Sequence, residues 1–398
     1  MPNLPSTFSC TGCFACVDAC PTKALTLSVN AEGHFFYDLD KHNCIDCHKC
    51  ENVCPVCDDD YVYGVNDLAL SSPYAAWCLD KDLRRNSTSG GVFAALAKRT
   101  LGNGGTVVGA AIVDNFVKHV LIEDITSLPL LQGSKYTQSN TNGIYKDVLK
   151  QLKNGRKVLF SGTGCQVAGL LRFLPTSLDT SNLITVDLVC GGVPSNFLID
   201  YYLLKNRDSV RGIAGFRNKE KYEFTVFDKK GDKKVIPLSK RPLPLCGFYT
   251  ELTNRYSCYD CQFAFTHRKA DLTIGDLWGD THYKEQHENG LSLVIAHTDK
   301  GIKALKESEI EINRADWAEI LPFNPRIAYG KNILGGTRAR KRLSKAFKED
   351  NYQKILDNYA NDASFKRPLS IVNKLYRFLL IKVNHHLSVN HIKSLLQQ

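Results

Sequence analysis

The sequence predicts an α/β protein, α+β overall, in which a small cysteine-rich domain precedes a larger α/β body built on a mixed sheet. Three observations carry that expectation. Nine of the 15 cysteines fall within the first 57 of 398 residues, at spacings of two and three. From Tyr74 onward, continuous apolar runs alternate with runs of helical periodicity, the rhythm of strand and helix units packed in layers. The stretch GIAGFRNKEKYEFTVFDKKGDKKVIPL, residues 212–238, reads instead as antiparallel hairpins, which makes the sheet mixed.

The bulk numbers leave room for this plan. With 43% hydrophobic and 23% charged residues the chain has an ordinary globular balance, enough for a small domain and one or two larger units. No stretch approaches the ~18 consecutive apolar residues of a membrane span. The start, MPNLPSTFSC, lacks the basic cap and apolar run of a secretory signal, so a cytoplasmic location is expected. Residues 1–70 hold ten acids against three lysines, a charge of −7, which leaves +17 on the rest of a chain whose net charge is +10. Such opposition suits docking of the acidic segment on the basic body or steering of a basic partner; a solvated acidic face accounts for it equally well. The positive charge forms no polybasic run and no nucleic-acid signature accompanies it, so no nucleic-acid partner is expected.

Taken in order, residues 1–57 form the first domain because they repeat: CTGCFACVDACP at 10–21 returns as CIDCHKCENVCP at 44–55. Between the copies, ALTLSVN and GHFFYDL alternate apolar and polar residues and read as short strands around a turn at 30–33. The acidic stretch at 58–73 reads as a linker. The body then divides into 74–160 and 161–335. Its strand candidates are TVVGAAIVD, KVLFSG, NLITVDLVC and ADLTIGDLWG, and its helix candidates GVFAALAKRTL, IYKDVLKQLKN, QVAGLLRFL and NFLIDYYLLKN. Residues 336–398 are a basic helical tail; the last 35 residues hold six Lys or Arg and no acid. A helix packed on the body is the reading preferred there over a membrane-surface or partner helix.

The repeated cysteine runs specify their chemistry. A cubane iron–sulfur cluster needs four thiolates converging on one centre. A CxxCxxC loop wraps the backbone around three corners, and in two-cluster ferredoxins the last cysteine of each run serves the other cluster. Cys10, Cys13, Cys16 and Cys54 are therefore expected to hold one 4Fe-4S cluster, and Cys44, Cys47, Cys50 and Cys20 a second. Pro21 and Pro55 after the last cysteines complete the pattern. Zinc prefers paired CxxC knuckles with a longer gap, which two complete CxxCxxCxxxCP runs do not offer. Cys57 and His48 receive no role.

The body offers further candidates. RRNSTSGGVFAALAKRTL places Ser87, Thr88, Ser89, Gly90 and Gly91 at the mouth of a helix, where free N–H groups suit a phosphate, although a Ser/Thr cap explains the residues equally well. QGSKYTQS at 132–139 is a polar turn. SGTGCQVAGL, DLVCGGVPS and RYSCYDCQFAFTHRKADLTIGDLWG put Cys165 and Cys190 at strand ends and Cys258 with Cys261 in a CxxC.

In their order, SGG, GSKY, GTxCQ, CxGVPS, CxxC and DxTIGDxWG, these segments resemble the beta subunit of coenzyme F-420 hydrogenase/dehydrogenase and its bacterial relatives, over about residues 10–279. The resemblance implies a flavin-binding body with FAD held around Ser89, Gly90, Gly91, Gly133, Ser134, Lys135, Tyr136 and Ser139. It also implies a third 4Fe-4S cluster on Cys165, Cys190, Cys258 and Cys261, with Cys246 a rival for one corner. The competing reading takes the four late cysteines as buried small hydrophobes. Relatives usually read GTPCQ and CHGVPS, whereas Gly164 and Gly191 stand here, so any role of that histidine is absent. Arg268, Lys269, Asp276 and Trp278 are the groups to look for near the flavin or the late cysteines; no catalytic residue is assigned.

The implied activity is that of an oxidoreductase coupling one-electron clusters to a two-electron, hydride-level partner. Ferredoxin, nicotinamide and deazaflavin are all compatible redox partners, and a small-molecule substrate fits the same scheme. An electron-transfer subunit serving a separate catalytic protein, or a ferredoxin anchored by a non-redox body, are the alternatives.

Overall fold

The computed structural model describes residues 1–219, 221–240, 242–330, 340, 341, 345 and 391–397. Each cysteine run leads into one short helix, Ala15–Ala19 or Lys49–Asn52. Between them, Leu25–Val29 and Phe35–Leu39 pair antiparallel with Leu27 opposite Tyr37. The repeat is written in the backbone as well as in the residues. Gly12 and Phe14 in the first run, and Asp46 and His48 at the matching positions of the second, all have φ between 54° and 65°. Three of these four are not glycine, so a conformation that L-residues avoid is imposed twice at the same step of the loop.

The body is built on an eight-stranded sheet. Its order is Ile310–Arg314, Ser72–Cys78, Ser292–Ala296, Leu272–Asp276, Leu183–Leu188, Val158–Thr163, Thr106–Val113 and Phe116–Ile122. Leu272–Asp276, Leu183–Leu188, Val158–Thr163 and Thr106–Val113 run parallel and fall on the four apolar strand candidates; antiparallel strands flank them on both sides. Neighbouring residues of these strands enter opposite cores. Val107 and Leu159 pack beneath the helix Val92–Gly102, whereas Val108 and Phe160 pack beneath Ile144–Lys153 and Gly164–Phe173. Burial on both faces is why these strands read as continuous apolar runs rather than as alternation. The hairpin stretch forms a separate antiparallel sheet of Val210–Gly215, Glu223–Asp228 and Lys233–Pro237.

The cysteine-rich domain is fastened to the body by its own backbone and by buried polar groups. The Asp18 carboxylate accepts from the N–H groups of Gly143 (2.7 Å) and Tyr145 (3.2 Å) at the start of Ile144–Lys153, a helix whose own N-cap, Gly143, offers no side chain. Thr141 donates to the Cys13 carbonyl at 2.7 Å. The backbone N–H of Asn196 donates to the Gly33 carbonyl at 3.1 Å. Within 58–73, Gly64–Val65 pairs with His267–Arg268, and the buried Tyr63 hydroxyl donates to Asp187 at 2.7 Å.

Residues 391–396 are helical, with Ile392 and Leu395 buried against Trp317, Ile320 and Leu321. The remainder of the expected basic tail lies outside the described residues, apart from 340, 341 and 345. Among the described residues no helix is long and apolar enough to cross a membrane.

Candidate functional site

The eight N-terminal cysteines separate into two sets. Cys10, Cys13, Cys16 and Cys54 line one cavity, with Gly12, Phe14 and Tyr37. Cys20, Cys44, Cys47 and Cys50 line another, with Pro21, Leu25 and Leu39. Each set draws three thiols from one run and the fourth from the other. All cysteines are free of disulfides. Among the described residues no group of three or more His, Cys, Asp or Glu is arranged to hold a single metal ion. Four thiols around a cavity suit a larger inorganic core, whose corners each need one sulfur.

The two sets differ in depth. Burial, with the neighbouring Cys54, pushes the Cys13 thiol up to about 12, opposed by the N–H of Ala15. Gly12 donates its N–H to Cys10 Sγ at 3.3 Å. The other set opens to solvent: Cys47 is exposed and Ile45 beside it is 64% exposed. Cys57 lies against Cys54, and His48 is a surface side chain hydrogen-bonded to Glu51.

The second centre is a cavity of about 510 Å³ at the carboxyl ends of the parallel strands. Open α/β sheets bind ligands there because the chain leaves successive strands and opens a crevice. Ser161–Thr163, Leu188–Cys190 and Gly275–Asp276 supply its floor from three of those strand ends. Ser89, Gly91, Gly133, Ser134, Lys135, Tyr136 and Ser139 all line it. Gly90 does not; a side chain there would collide with the Ala76 carbonyl at 2.5 Å, so this glycine lets the loop pass close to the sheet.

The residues around the cavity divide into those that hold the loops and those that face the space. Ser89 donates to the Leu291 carbonyl at 2.7 Å, and Thr88 accepts from the Ser134 N–H at 2.8 Å, so these hydroxyls pin the SGG and GSKY segments to their surroundings. Lys135 donates to the carbonyls of Leu130, Leu131 and Gln132 at 3.3, 3.0 and 2.8 Å, and burial pulls its ammonium down to about 7. Gly91 takes φ 83° as the N-cap of Val92–Gly102 and offers no side-chain cap. No side chain caps the first N–H groups of that helix, an arrangement that suits a phosphate.

Tyr136 stacks on Phe248 with ring centroids 4.1 Å apart. Its hydroxyl accepts from Arg217 at 3.1 Å, and Arg217 also pairs with Asp276 at 2.6 Å and lies over the Tyr222 and Trp278 rings. This aromatic wall, cross-braced by a buried guanidinium, fits a planar ring.

The four late cysteines line the same cavity. Cys165 opens the helix Gly164–Phe173, Cys190 follows the strand Leu183–Leu188, and Cys258 and Cys261 come from a loop. They lie within electrostatic reach of one another, and burial pushes Cys258 up to about 12, with Cys190 and Cys261 adding to it. Cys246 is buried in Leu243–Thr250 and is not part of the lining. Arg268 lines the cavity and pairs with the buried Asp187 at 3.1 Å; Lys269 instead lies over the Tyr61 ring. A side chain at Gly191 would meet only Phe248, at 3.7 Å, and at Gly164 it would press on Phe263 at 3.2 Å.

Sequence patterns did not single out His119, Arg217, Phe248, Arg255 or Arg326, all of which line the cavity. Arg255 stands three residues before Cys258 in a segment already marked by its CxxC, whereas the other four sit outside the motifs and reach the site only through tertiary packing. The weak signal available was the lone histidine in the strand Phe116–Ile122.

Residues 9–57 match the 4Fe-4S dicluster domain, and residues 155–316 match the family described as the C terminus of the coenzyme F420 hydrogenase/dehydrogenase beta subunit. No curated protein matches the sequence. Among solved structures, a chain of the xenon-derivatised F420-reducing [NiFe] hydrogenase complex from Methanosarcina barkeri aligns with a TM-score of 0.45 and 17% identity. The alignment covers 72% of this chain and 94% of that one.

Proposed function

We propose that the chain is an iron–sulfur flavoprotein oxidoreductase related to the coenzyme F420 hydrogenase/dehydrogenase beta subunits, a reading supported by the match of residues 155–316 to the C-terminal part of that subunit and of residues 9–57 to the 4Fe-4S dicluster domain. Electrons would pass between the two N-terminal sites, the late cysteine site and an FAD in the large cavity. Bound flavin supplies two-electron, hydride-level chemistry, and each cluster takes one electron. The single observation that carries this reading is that the flavin segments and all four late cysteines line one cavity.

The protein's own residues would hold and orient these groups. Ser89, Ser134 and Lys135 fix the loops, the open end of Val92–Gly102 receives a phosphate, and Tyr136 with Phe248 and Trp278 flanks the ring. Cys10, Cys13, Cys16, Cys54 and Cys20, Cys44, Cys47, Cys50 grip the two N-terminal clusters, and Cys165, Cys190, Cys258 and Cys261 the third. The helix Gly164–Phe173 links the deeper N-terminal site to the late one. Cys165 stands in its first turn, and one turn later a Cβ at Gly169 would lie 2.9 Å from Cys13 Sγ. The rise along the helix between these two positions is about 6 Å. The Cys20, Cys44, Cys47 and Cys50 set, which reaches solvent at Cys47, then forms the outer end of the path, where a ferredoxin-like carrier would dock. A nicotinamide, deazaflavin or other small organic molecule would react at the cavity.

Anaerobic protein should carry about twelve irons and flavin absorbance, and Cys258→Ser with Cys261→Ser should remove about four of those irons. Colourless protein, zinc in place of iron, or unchanged iron in the double variant would overturn the assignment.

A further inference from the structure

Two of the buried arginines meet no carboxylate among the described residues: Arg84, 9% exposed, which donates to the Gly290 and Gln286 carbonyls and to Gln286 Oε1, and Arg255, which is the deeper of the two. Arg268 pairs with Asp187, Arg217 with Asp276 and Arg340 with Glu32. Arg255 is 1% exposed, and among the described residues its guanidinium meets only neutral oxygens: the Cys10 carbonyl at 3.0 Å, Gln138 Oε1 at 2.8 Å and the Phe35 carbonyl. A buried cation with no anion is disfavoured, and a negative charge placed beside it would offset that cost.

The surroundings say where that charge belongs. Arg255 holds the backbone of Cys10 on one side and lies three residues before Cys258 on the other, with the Cys258 N–H donating to the Arg255 carbonyl at 3.0 Å. It lines the large cavity and sits within electrostatic reach of both the Cys10 and the Cys258 sulfur. A side chain on Gly12 would strike Arg255 Nη2 at 2.7 Å, so the cysteine loop is shaped to admit the guanidinium. Arg255 reaches the deeper set through the Cys10 backbone from the side of the large cavity, whereas the one cation lining the Cys20, Cys44, Cys47 and Cys50 cavity is the exposed Lys49.

We propose that Arg255 is the shared counter-ion of the deeper N-terminal cysteine site and the late cysteine site, raising the reduction potentials of both together. The proposal rests on the reading that both sites hold clusters. A reduced cluster is one unit more negative than an oxidised one, so a fixed cation in a dry interface favours the reduced form on either side of it. Because one guanidinium serves both, it shifts the two potentials in the same direction and keeps the step between them nearly level. Arg255 is a positioning and tuning residue, touching the ligand loops rather than the reacting atoms.

The test is a potentiometric titration followed by electron paramagnetic resonance on anaerobic wild-type, Arg255→Gln and Arg255→Lys protein, with iron counted on each. Arg255→Gln should lower two of three midpoints by at least roughly tenfold in the reduction equilibrium, 59 mV for a one-electron couple, and leave the third in place. Arg255→Lys keeps the charge without the fork and should hold all three midpoints within about threefold of wild type. Midpoints that all move alike, that do not move, or that fall equally in both variants overturn the proposal. If Arg255→Gln loses iron, Arg255→Lys decides: unmoved midpoints support the charge, and lowered ones refute it. Wild-type iron near eight would sink the late-cluster reading instead, and Arg255→Gln should then lower one midpoint of two.

Discussion

Replacing His119 by glutamine tests the buried polar lining of the cavity. His119 Nε2 lies 2.9 Å from the Ser161 carbonyl, which can only accept, so that nitrogen carries the proton; Nδ1, 2.8 Å from Ser139 Oγ, then accepts from the hydroxyl. The ring stacks on Phe160 with centroids 5.5 Å apart. Burial pulls the imidazole down from 6.5 to about 4, against the Ser161 carbonyl, with Lys135 adding to the lowering. The unfolded chain therefore takes up a proton near pH 6.5 that the folded chain refuses until about pH 4. Stability from this residue is fully present above pH 6.5 and is lost as the pH falls toward 4. The limiting loss is about 3 kcal/mol, of which about 2 kcal/mol is incurred between about pH 7.5 and pH 5. His119→Gln retains a donor and an acceptor and does not titrate. In urea unfolding of both proteins prepared identically, the wild type should lose about 2 kcal/mol relative to the variant across that interval. A difference that stays flat with pH would refute the buried, neutral imidazole.

Two further outcomes follow from the same packing. Gly169→Ala places a methyl 2.9 Å from Cys13 Sγ and 3.1 Å from the Tyr145 hydroxyl, and should cost about four irons per chain while flavin absorbance persists; full iron content would show that helix and loop can part. Lys135 has the same sign as His119 in a higher pH window. Its folded value of about 7 lies below 10.5, so between these the unfolded chain holds the extra proton, and wild type should gain on Lys135→Met by up to about 1.4 kcal/mol per pH unit. Unfolding curves that keep the same separation from about pH 7 to pH 9.5 would exclude that buried ammonium.

The cysteine code was legible because ligand spacing is a local property: two CxxCxxCxxxCP runs state both loops and the exchange of their last thiols. The parallel strands were legible for a different reason. Val107 and Val108, or Leu159 and Phe160, face opposite cores, so the sequence carries no polar alternation to obscure them. The antiparallel flanks were not. Ser72–Cys78 begins inside the acidic stretch taken as linker and contains Pro73, and Phe116–Ile122 interleaves Lys118 and His119 with its apolar residues. At the cavity, GSKY was readable as a polar turn, but the use of Lys135 to tie down three carbonyls was not, because that depends on a 3-10 turn at Ile125–Leu130 closing over it. Arg255 was unreadable in principle. Its significance is that, among the described residues, its guanidinium meets only the neutral oxygens of Cys10, Phe35 and Gln138, which separate segments bring together.

The carboxylate of Asp18 does for a helix of the body what that helix's own glycine cannot, and Thr141 holds the Cys13 backbone in return. Cutting the polypeptide between residues 58 and 73 would therefore sever the covalent tether without releasing the cysteine-rich domain. That domain is then a fixed terminal and not a swinging arm, and under the proposed function a carrier would have to come to its rim near Cys47, since the domain is tied down by the body's own helix.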